Sequence, residues 1–246
     1  LLHQDILQAQ MLGVQILDYR SLLNQIRGHI NMHDTDLWTF LAGSVHQNWL
    51  QIFYRDMKFY LEPAIAALLM LLISPVFLIV AIIIKATSPG PVFFKQTRLG
   101  YLGYNFDLIK FRSMRTDAES TGAKWATQND DRVTPVGKFL RKTRLDEIPQ
   151  LWNILNGEMS FIGPRPERPE FYDIISEQVP LFRMRLLVRP GVTGWAQLLG
   201  GYAASIEESE RKLEFDLYYM QYLSPRMDLI ILGRTVITLL KGDSGR

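Results

Sequence analysis

The decapeptide Arg141-Lys142-Thr143-Arg144-Leu145-Asp146-Glu147-Ile148-Pro149-Gln150 sets two adjacent carboxylates against a run of cations. From Arg132 to Arg144 the basic residues Arg132, Lys138, Arg141, Lys142 and Arg144 succeed one another with no acid between them. The acids arrive only at Asp146 and Glu147. Nearby positive charge favours ionised carboxylates. Such a carboxylate can attack as a covalent nucleophile or hold Mg2+, and neighbouring guanidinium groups can clamp a phosphoryl oxygen in bidentate fashion. The pattern points to phosphate chemistry. The same ten residues also suit a surface ion-pair cluster, and on their own they leave both readings open.

Other cations stand where local structure can aim them. Val92 to Gln96 alternates as a strand, Leu99 to Gly103 turns the chain, and Phe106 to Arg112 reads as the returning strand of a hairpin. Lys110, Arg112 and Arg115 then emerge at or near a strand end, either toward a ligand or as ordinary edge protection. In Gly163-Pro164-Arg165-Pro166, two prolines restrict the backbone on either side of one guanidinium, which can aim Arg165; a plain solvent-facing turn fits the same residues. Glu147 to Asn156 predicts a helix beginning at the carboxylates, with Pro149 in its first turn and Asn156-Gly157 as its stop. A helix start there would lower the Asp146 pKa further and offer N–H donors to a bound phosphate. The turn-rich Val188 to Gln197 carries Arg189 and Trp195, either of which could face a nucleotide.

These residues need an anchor, and Pro63 to Ile84 supplies one: 22 residues without a charge. As a helix it would extend about 33 Å, a membrane-compatible length. Ser74-Pro75 interrupts its middle, because proline removes a backbone hydrogen bond and clashes with the preceding turn. Each half-length arm reaches about half the hydrocarbon thickness. Arg55 and Lys58 before the segment and Lys85 after it pull both ends toward the cytoplasm, which favours a re-entrant hairpin over a kinked span, and few buried helices of a soluble domain stay uncharged for this long. Lys58 and Glu62, at i and i+4, can pair at the membrane entrance. Pro180 to Leu187 mixes apolar and basic residues as a helix on anionic lipid does, or as one packed on the core. Leu229 to Leu240 is apolar, broken by Arg234, and too short to cross a bilayer.

Composition narrows the classes. The 246 residues are 48% hydrophobic with a net charge of +2, enough core for one large or two small domains. With no cysteine there is no disulfide, thiolate nucleophile or cysteine-held metal. All four histidines fall in the first fifth of the chain, without triad or metal spacing. Residues 1–54 differ in character and read as the tail of an upstream domain and a linker. Their Asp-x-Asp triplet, in His33-Asp34-Thr35-Asp36, reads as a solvated loop rather than a metal-nucleotide site. Walker A, Gly-x-Gly-x-x-Gly, His-Glu-x-x-His and Gly-x-Ser-x-Gly patterns are all absent. The scattered basic residues, without a zinc-finger or RRM pattern, speak against nucleic acid.

Taken together, the proline-broken apolar segment, S-P-G-P-V-F-F-K-Q, K-F-R-S-M, L-D-E-I-P-Q-L-W-N-I-L-N-G-E-M-S-F-I-G-P-R-P and R-P-G-V-T-G-W-A-Q resemble the bacterial sugar transferase family, the monotopic polyprenyl-phosphate phosphoglycosyl transferases. The resemblance runs from about residue 55 to the C-terminus, and the chain resembles the C-terminal part of a larger member. It implies a mixed α/β, helix-rich fold with a small β-hairpin, in which residues 55–87 form a re-entrant helix-break-helix around Ser74 and Pro75. Residues 88–246 would form a cytosolic catalytic domain with interfacial helices. It also implies transfer of a phosphosugar from a UDP-sugar to undecaprenyl phosphate with release of UMP, the first membrane step of exopolysaccharide, capsule or O-antigen synthesis. Asp146 would be the nucleophile that forms a phosphosugar-aspartate, and Glu147 would bind Mg2+ with Asp146 or assist proton transfer. Lys110, Arg112, Arg141, Arg165 and Arg189 would hold substrate. Expected partners are the UDP-sugar, undecaprenyl phosphate, the lipid bilayer of the bacterial cytoplasmic membrane, and a second copy in a homodimer. One departure stands at the membrane entrance: Lys58-Phe59-Tyr60-Leu61-Glu62 replaces the family's usual Lys-Arg followed by Asp. A noncatalytic membrane-anchored subunit and an aspartyl-phosphate hydrolase are the competing classes.

Overall fold

A computed structural model describes residues 19–32, 49–118, 130–201 and 205–241. His33-Asp34-Thr35-Asp36 and most of the polar stretch Thr116 to Asp131 lie outside them. The chain is helix-rich with two small sheets. Helix α1 (Tyr19–Arg27) precedes the long α2 (Trp49–Leu72), which bends into α3 (Ser74–Thr87). Strands β1 (Phe93–Leu99) and β2 (Asn105–Phe111) follow as an antiparallel hairpin, then α4 (Pro135–Lys142), a 3₁₀ helix over Leu145–Gln150, and the short α5 (Leu151–Leu155). Strand β3 (Ser160–Ile162) pairs in parallel with β4 (Gly191–Thr193) across α6 (Pro169–Gln178) and a 3₁₀ helix at Pro180–Leu187. The chain closes with α7 (Trp195–Leu199), α8 (Ile206–Gln221) and α9 (Pro225–Leu240).

The hairpin forms where alternation places it, with Phe94 opposite Lys110 and Gln96 opposite Leu108. The β3–β4 pair was not legible in the sequence. Each strand has three residues, and glycine makes their approach close: a Cβ on Gly191 would lie 2.0 Å from the Gly163 nitrogen.

The break in the apolar segment falls at Ile73, and α2 and α3 meet there at a 64° bend. Pro75 has no N–H for the Leu71 carbonyl, and Ser74 Oγ donates to that carbonyl instead, at 2.8 Å. Among the described residues no single helix is long and apolar enough to cross a membrane, but the bent pair passes that test jointly. Ala66, Val80 and Ile84 are buried against the rest of the protein, while Leu68, Leu71, Leu72, Leu78, Ile79 and Ile82 are bare. An exposed apolar surface of this extent needs a cover that water does not provide.

At its polar base α2 docks through buried charge. Lys58 Nζ lies 3.6 Å from Glu62, as the i,i+4 spacing predicts, but its short bonds go to Asp228 on α9 at 2.7 Å and Tyr219 at 3.2 Å. Glu62 accepts from Arg189 at 2.9 Å and Ser160 at 2.7 Å, and Tyr54 donates to Asp228 at 2.7 Å. Removing one partner from a buried pair strands the other charge. Lys58→Met is therefore expected to destabilise the fold by about 3–5 kcal/mol, read as a lowered Tm in detergent. The described part of the first 54 residues packs on the body of the protein as well. Ile30 is in the main core, and its N–H donates to the Glu214 carbonyl at 3.1 Å.

Candidate active site

Asp146 and Glu147 stand in the first turn of the Leu145–Gln150 3₁₀ helix, directly after Arg144, whose φ of 58° is left-handed. Leu145 and Ile148, on either side of the pair, pack into the cluster of Val80, Ile84, Phe111 and Leu140. Both carboxylates are consequently held inward, 7% and 8% exposed. The expected α-helix start at the carboxylates is corrected by this arrangement. The backbone there closes i to i+3, with Glu147 N–H on the Arg144 carbonyl at 3.2 Å, and the α-helical turns begin only at Leu151. The predicted stop at Asn156-Gly157 is in place, with Gly157 at φ 75°.

Two cations from separate elements converge on one carboxylate oxygen. Lys110, on β2, donates to Glu147 Oε1 at 2.7 Å, and Arg165 Nη2 donates to the same oxygen at 2.9 Å. Arg144 Nη1 is 3.8 Å from Oε2. Burial opposes the Glu147 charge, yet Lys110, Arg165 and Arg144 outweigh it and hold this carboxyl well below the usual range. Asp146 behaves in the opposite way. Burial and the adjacent Glu147 charge push its pKa up, against the pull of Lys110, Arg141 and Arg144. The sequence expectation of a lowered Asp146 pKa is thereby reversed, because desolvation outweighs the cations and no α-helix begins at that point. Burial also lowers the Lys110 pKa, with Glu147 opposing it. Asp146 Oδ1 is buried without a hydrogen-bond partner.

Arg141, at the end of α4, donates Nε to Ser113 Oγ at 2.9 Å and contributes positive potential at Asp146. That position depends on a close approach: a Cβ on Gly137 would lie 1.9 Å from the Ser113 carbonyl oxygen. Arg112 and Arg189 are engaged elsewhere. Arg112 donates to the Ser88 and Pro89 carbonyls, both at 2.9 Å, and to Ser88 Oγ at 2.7 Å, which braces the turn after α3. Arg189 pairs with Glu62 and lies 4.9 Å over the Phe59 ring. Trp195 is buried, with its indole N–H on the Gly28 carbonyl at 2.7 Å. Two residues of the surroundings escaped the sequence reading. Asn153 is fully buried and ties β2 to α5 by accepting from Ile109 N–H at 3.0 Å and donating to the Asp107 carbonyl at 2.8 Å. Arg185 bonds the Arg165 carbonyl. Pro180–Leu187 carries two basic residues, Arg183 and Arg185, among apolar ones, and only burial singles out Arg185.

Among the described residues no group of three or more His, Cys, Asp or Glu side chains is arranged as a metal cage. Mg2+ commonly needs less from the protein, taking one or two carboxylates and completing its shell with water and substrate phosphate. The dyad fits that demand: Asp146 Oδ1 is unpartnered, and the short bonds to Glu147 all fall on Oε1.

The buried carboxylate pair, with Lys110 and Arg165 bonded to Glu147, thus sits in the same molecule as a bent, largely bare apolar helix pair. A family model for bacterial sugar transferases matches residues 53–242, and the chain belongs to that family. It is 40% identical over 216 residues to the UDP-N-acetylgalactosamine-undecaprenyl-phosphate N-acetylgalactosaminephosphotransferase of Aeromonas hydrophila, covering 88% of this chain and 49% of the relative. It is 44% identical over 174 residues to the UDP-glucose:undecaprenyl-phosphate glucose-1-phosphate transferase of Escherichia coli (strain K12), covering 70% and 38%. A relative of the same description from Caulobacter vibrioides is 41% identical over 189 residues, covering 76% and 71%. The chain thus spans about half or less of the length of the first two.

Proposed function

We propose that this chain transfers a phosphosugar from a UDP-sugar to undecaprenyl phosphate and releases UMP, through a covalent intermediate on Asp146. The reaction class is supported by the family and by relatives whose names specify UDP-N-acetylgalactosamine or UDP-glucose as donor and undecaprenyl phosphate as acceptor. The observation that carries the mechanism is the asymmetry of the dyad, one carboxylate bonded at Oε1 by both Lys110 and Arg165 and its neighbour with an unpartnered oxygen. In the first step an Asp146 oxygen attacks the sugar-linked phosphorus, the bond from that phosphorus to the bridging oxygen breaks, and UMP leaves with the bridging oxygen. In the second, a phosphate oxygen of undecaprenyl phosphate attacks the same phosphorus, the aspartyl bond breaks, and Asp146 returns to its carboxylate form.

Lys110 and Arg165 neutralise charge on the transferring phosphoryl oxygens, and Arg141 adds positive potential at the nucleophile. Glu147, held ionised, works as a fixed anion that orients these cations rather than as a proton carrier. Asp146 and Glu147 would hold Mg2+, which when bound neutralises diphosphate charge and steadies the leaving group. The bent α2–α3 pair would enter and leave the bacterial cytoplasmic membrane on its cytosolic side, keeping the dyad at the surface where a lipid phosphate arrives. The product would begin exopolysaccharide, capsule or O-antigen assembly.

Purified chain incubated with UDP-sugar, undecaprenyl phosphate and Mg2+ is expected to release UMP and form a lipid-linked diphosphosugar, with sustained release dependent on the lipid. Free phosphosugar without lipid would identify a hydrolase instead. No monophosphate from any UDP-sugar would leave a noncatalytic subunit.

A further inference from the structure

The two cations on Glu147 are supported differently. Lys110 sits in a regular strand, whereas Arg165 stands in the turn Gly163-Pro164-Arg165-Pro166, outside any helix or strand. Pro164 and Pro166 remove backbone donors on both sides of it, so the turn is held through its carbonyls: Pro164 accepts from Gly191 N–H at 2.9 Å, Pro166 from Arg98 Nη1 at 3.0 Å, and a third grip falls on the Arg165 carbonyl itself. That grip is Arg185, whose Nη2 donates to the Arg165 carbonyl at 2.8 Å. The same guanidinium donates Nε to Asp216 Oδ2 on α8 at 2.9 Å and lies 4.6 Å over the Phe182 ring. Glu167 Oε1 is 4.0 Å from its Nη1. Arg185 is 7% exposed and Asp216 1%. A buried ion pair is often no more stabilising than apolar residues of the same volume. What this pair does supply is direction, because a rigid fork bonded at two ends to two different acceptors has one orientation.

We propose that Arg185, oriented by Asp216, is a positioning residue that fixes the Arg165 backbone so that its guanidinium meets Glu147 and the phosphoryl group beside the dyad. The proposal rests on the transferase reading above. Neither Arg185 nor Asp216 touches substrate; both act through Arg165. The arrangement separates two roles of Arg185. A charge partner for Asp216 is replaceable by lysine, whereas a fork that reaches Asp216 and the Arg165 carbonyl together is not.

The test compares the full wild-type chain with R165A, R185Q, R185K and the double variant R165A/R185Q, measuring UMP release, donor KM and Tm. R185Q is expected to lower kcat about 100-fold, with a much smaller change in donor KM because Arg165 keeps its charge. R185K is expected to recover most of the Tm lost in R185Q and little of the kcat. R165A/R185Q is expected to be as slow as R165A within about twofold, since a residue acting through Arg165 has nothing left to position. Multiplied losses in the double variant, or recovery of kcat with Tm in R185K, would overturn the inference while wild-type turnover upholds the transferase reading. Absence of UMP release by the wild-type chain would overturn both.

Discussion

Asp146→Asn is expected to reduce UMP release by about 10⁴-fold or more while leaving the fold intact. The asparagine keeps the size of the side chain but cannot form the aspartyl-phosphate bond. Its effect on stability has a definite sign. The folded Asp146 pKa is raised, chiefly by burial and then by Glu147, so the folded state holds this proton at pH values where the unfolded chain has lost it. Stability from this group is therefore lost as pH rises from the ordinary carboxylate range, about 3.9, through the raised value. At neutral pH the wild type carries that cost and the asparagine variant does not. The variant is expected to melt at or above the wild-type Tm, with a flatter dependence on pH. A dead enzyme that is at least as stable locates the effect in chemistry, and calorimetry beside the UMP assay checks both halves. Near-wild-type turnover by the variant would remove Asp146 as the nucleophile.

Glu147→Gln is expected to lower kcat by about 10²- to 10³-fold and to slide the pH profile of the remaining activity to lower pH. The Glu147 charge raises the Asp146 pKa, and removing it leaves burial alone to oppose the pull of Lys110, Arg141 and Arg144, so the pKa falls. The acid limb, where the nucleophile becomes protonated, then moves down. Lys110 shifts in the same direction. Burial already lowers its pKa, and Glu147 is the first of the charges that hold it up. Without that anion the ammonium is lost at lower pH, taking the basic limb with it. Both limbs moving down is a signature that simple damage to the site does not produce. A profile with unmoved limbs would show that the two carboxylates are not electrostatically coupled, checked by kcat/KM measured across pH for both proteins.

Features governed by neighbours in sequence were legible before the fold. The hairpin followed from alternation around Leu99 to Gly103, the bend from Ser74-Pro75, and the positions of Lys110 and Arg165 from a strand end and a proline-framed turn. Features set by distant partners were not. The Lys58 bond to Asp228 spans 170 positions and the Arg185 bond to Asp216 spans 31, and neither leaves a local pattern. The fate of Arg112 shows the same limit. Alternation puts Lys110 and Arg112 on one face, but β2 ends at Phe111, and beyond it the turn at Ser88 and Pro89 captures the guanidinium. The sign of the Asp146 shift required burial to be known, since cations alone predict the reverse.

The central claim is a phosphosugar carried on Asp146, and the most direct test is the intact mass of the chain after incubation with UDP-sugar and Mg2+ without lipid. The expected result is one equivalent of UMP, a mass increase of one phosphosugar that maps to the peptide containing Asp146, and loss of that increase when undecaprenyl phosphate is added. UMP release that begins only with both substrates present, with no adduct at any time, would contradict it and point to direct transfer between donor and acceptor.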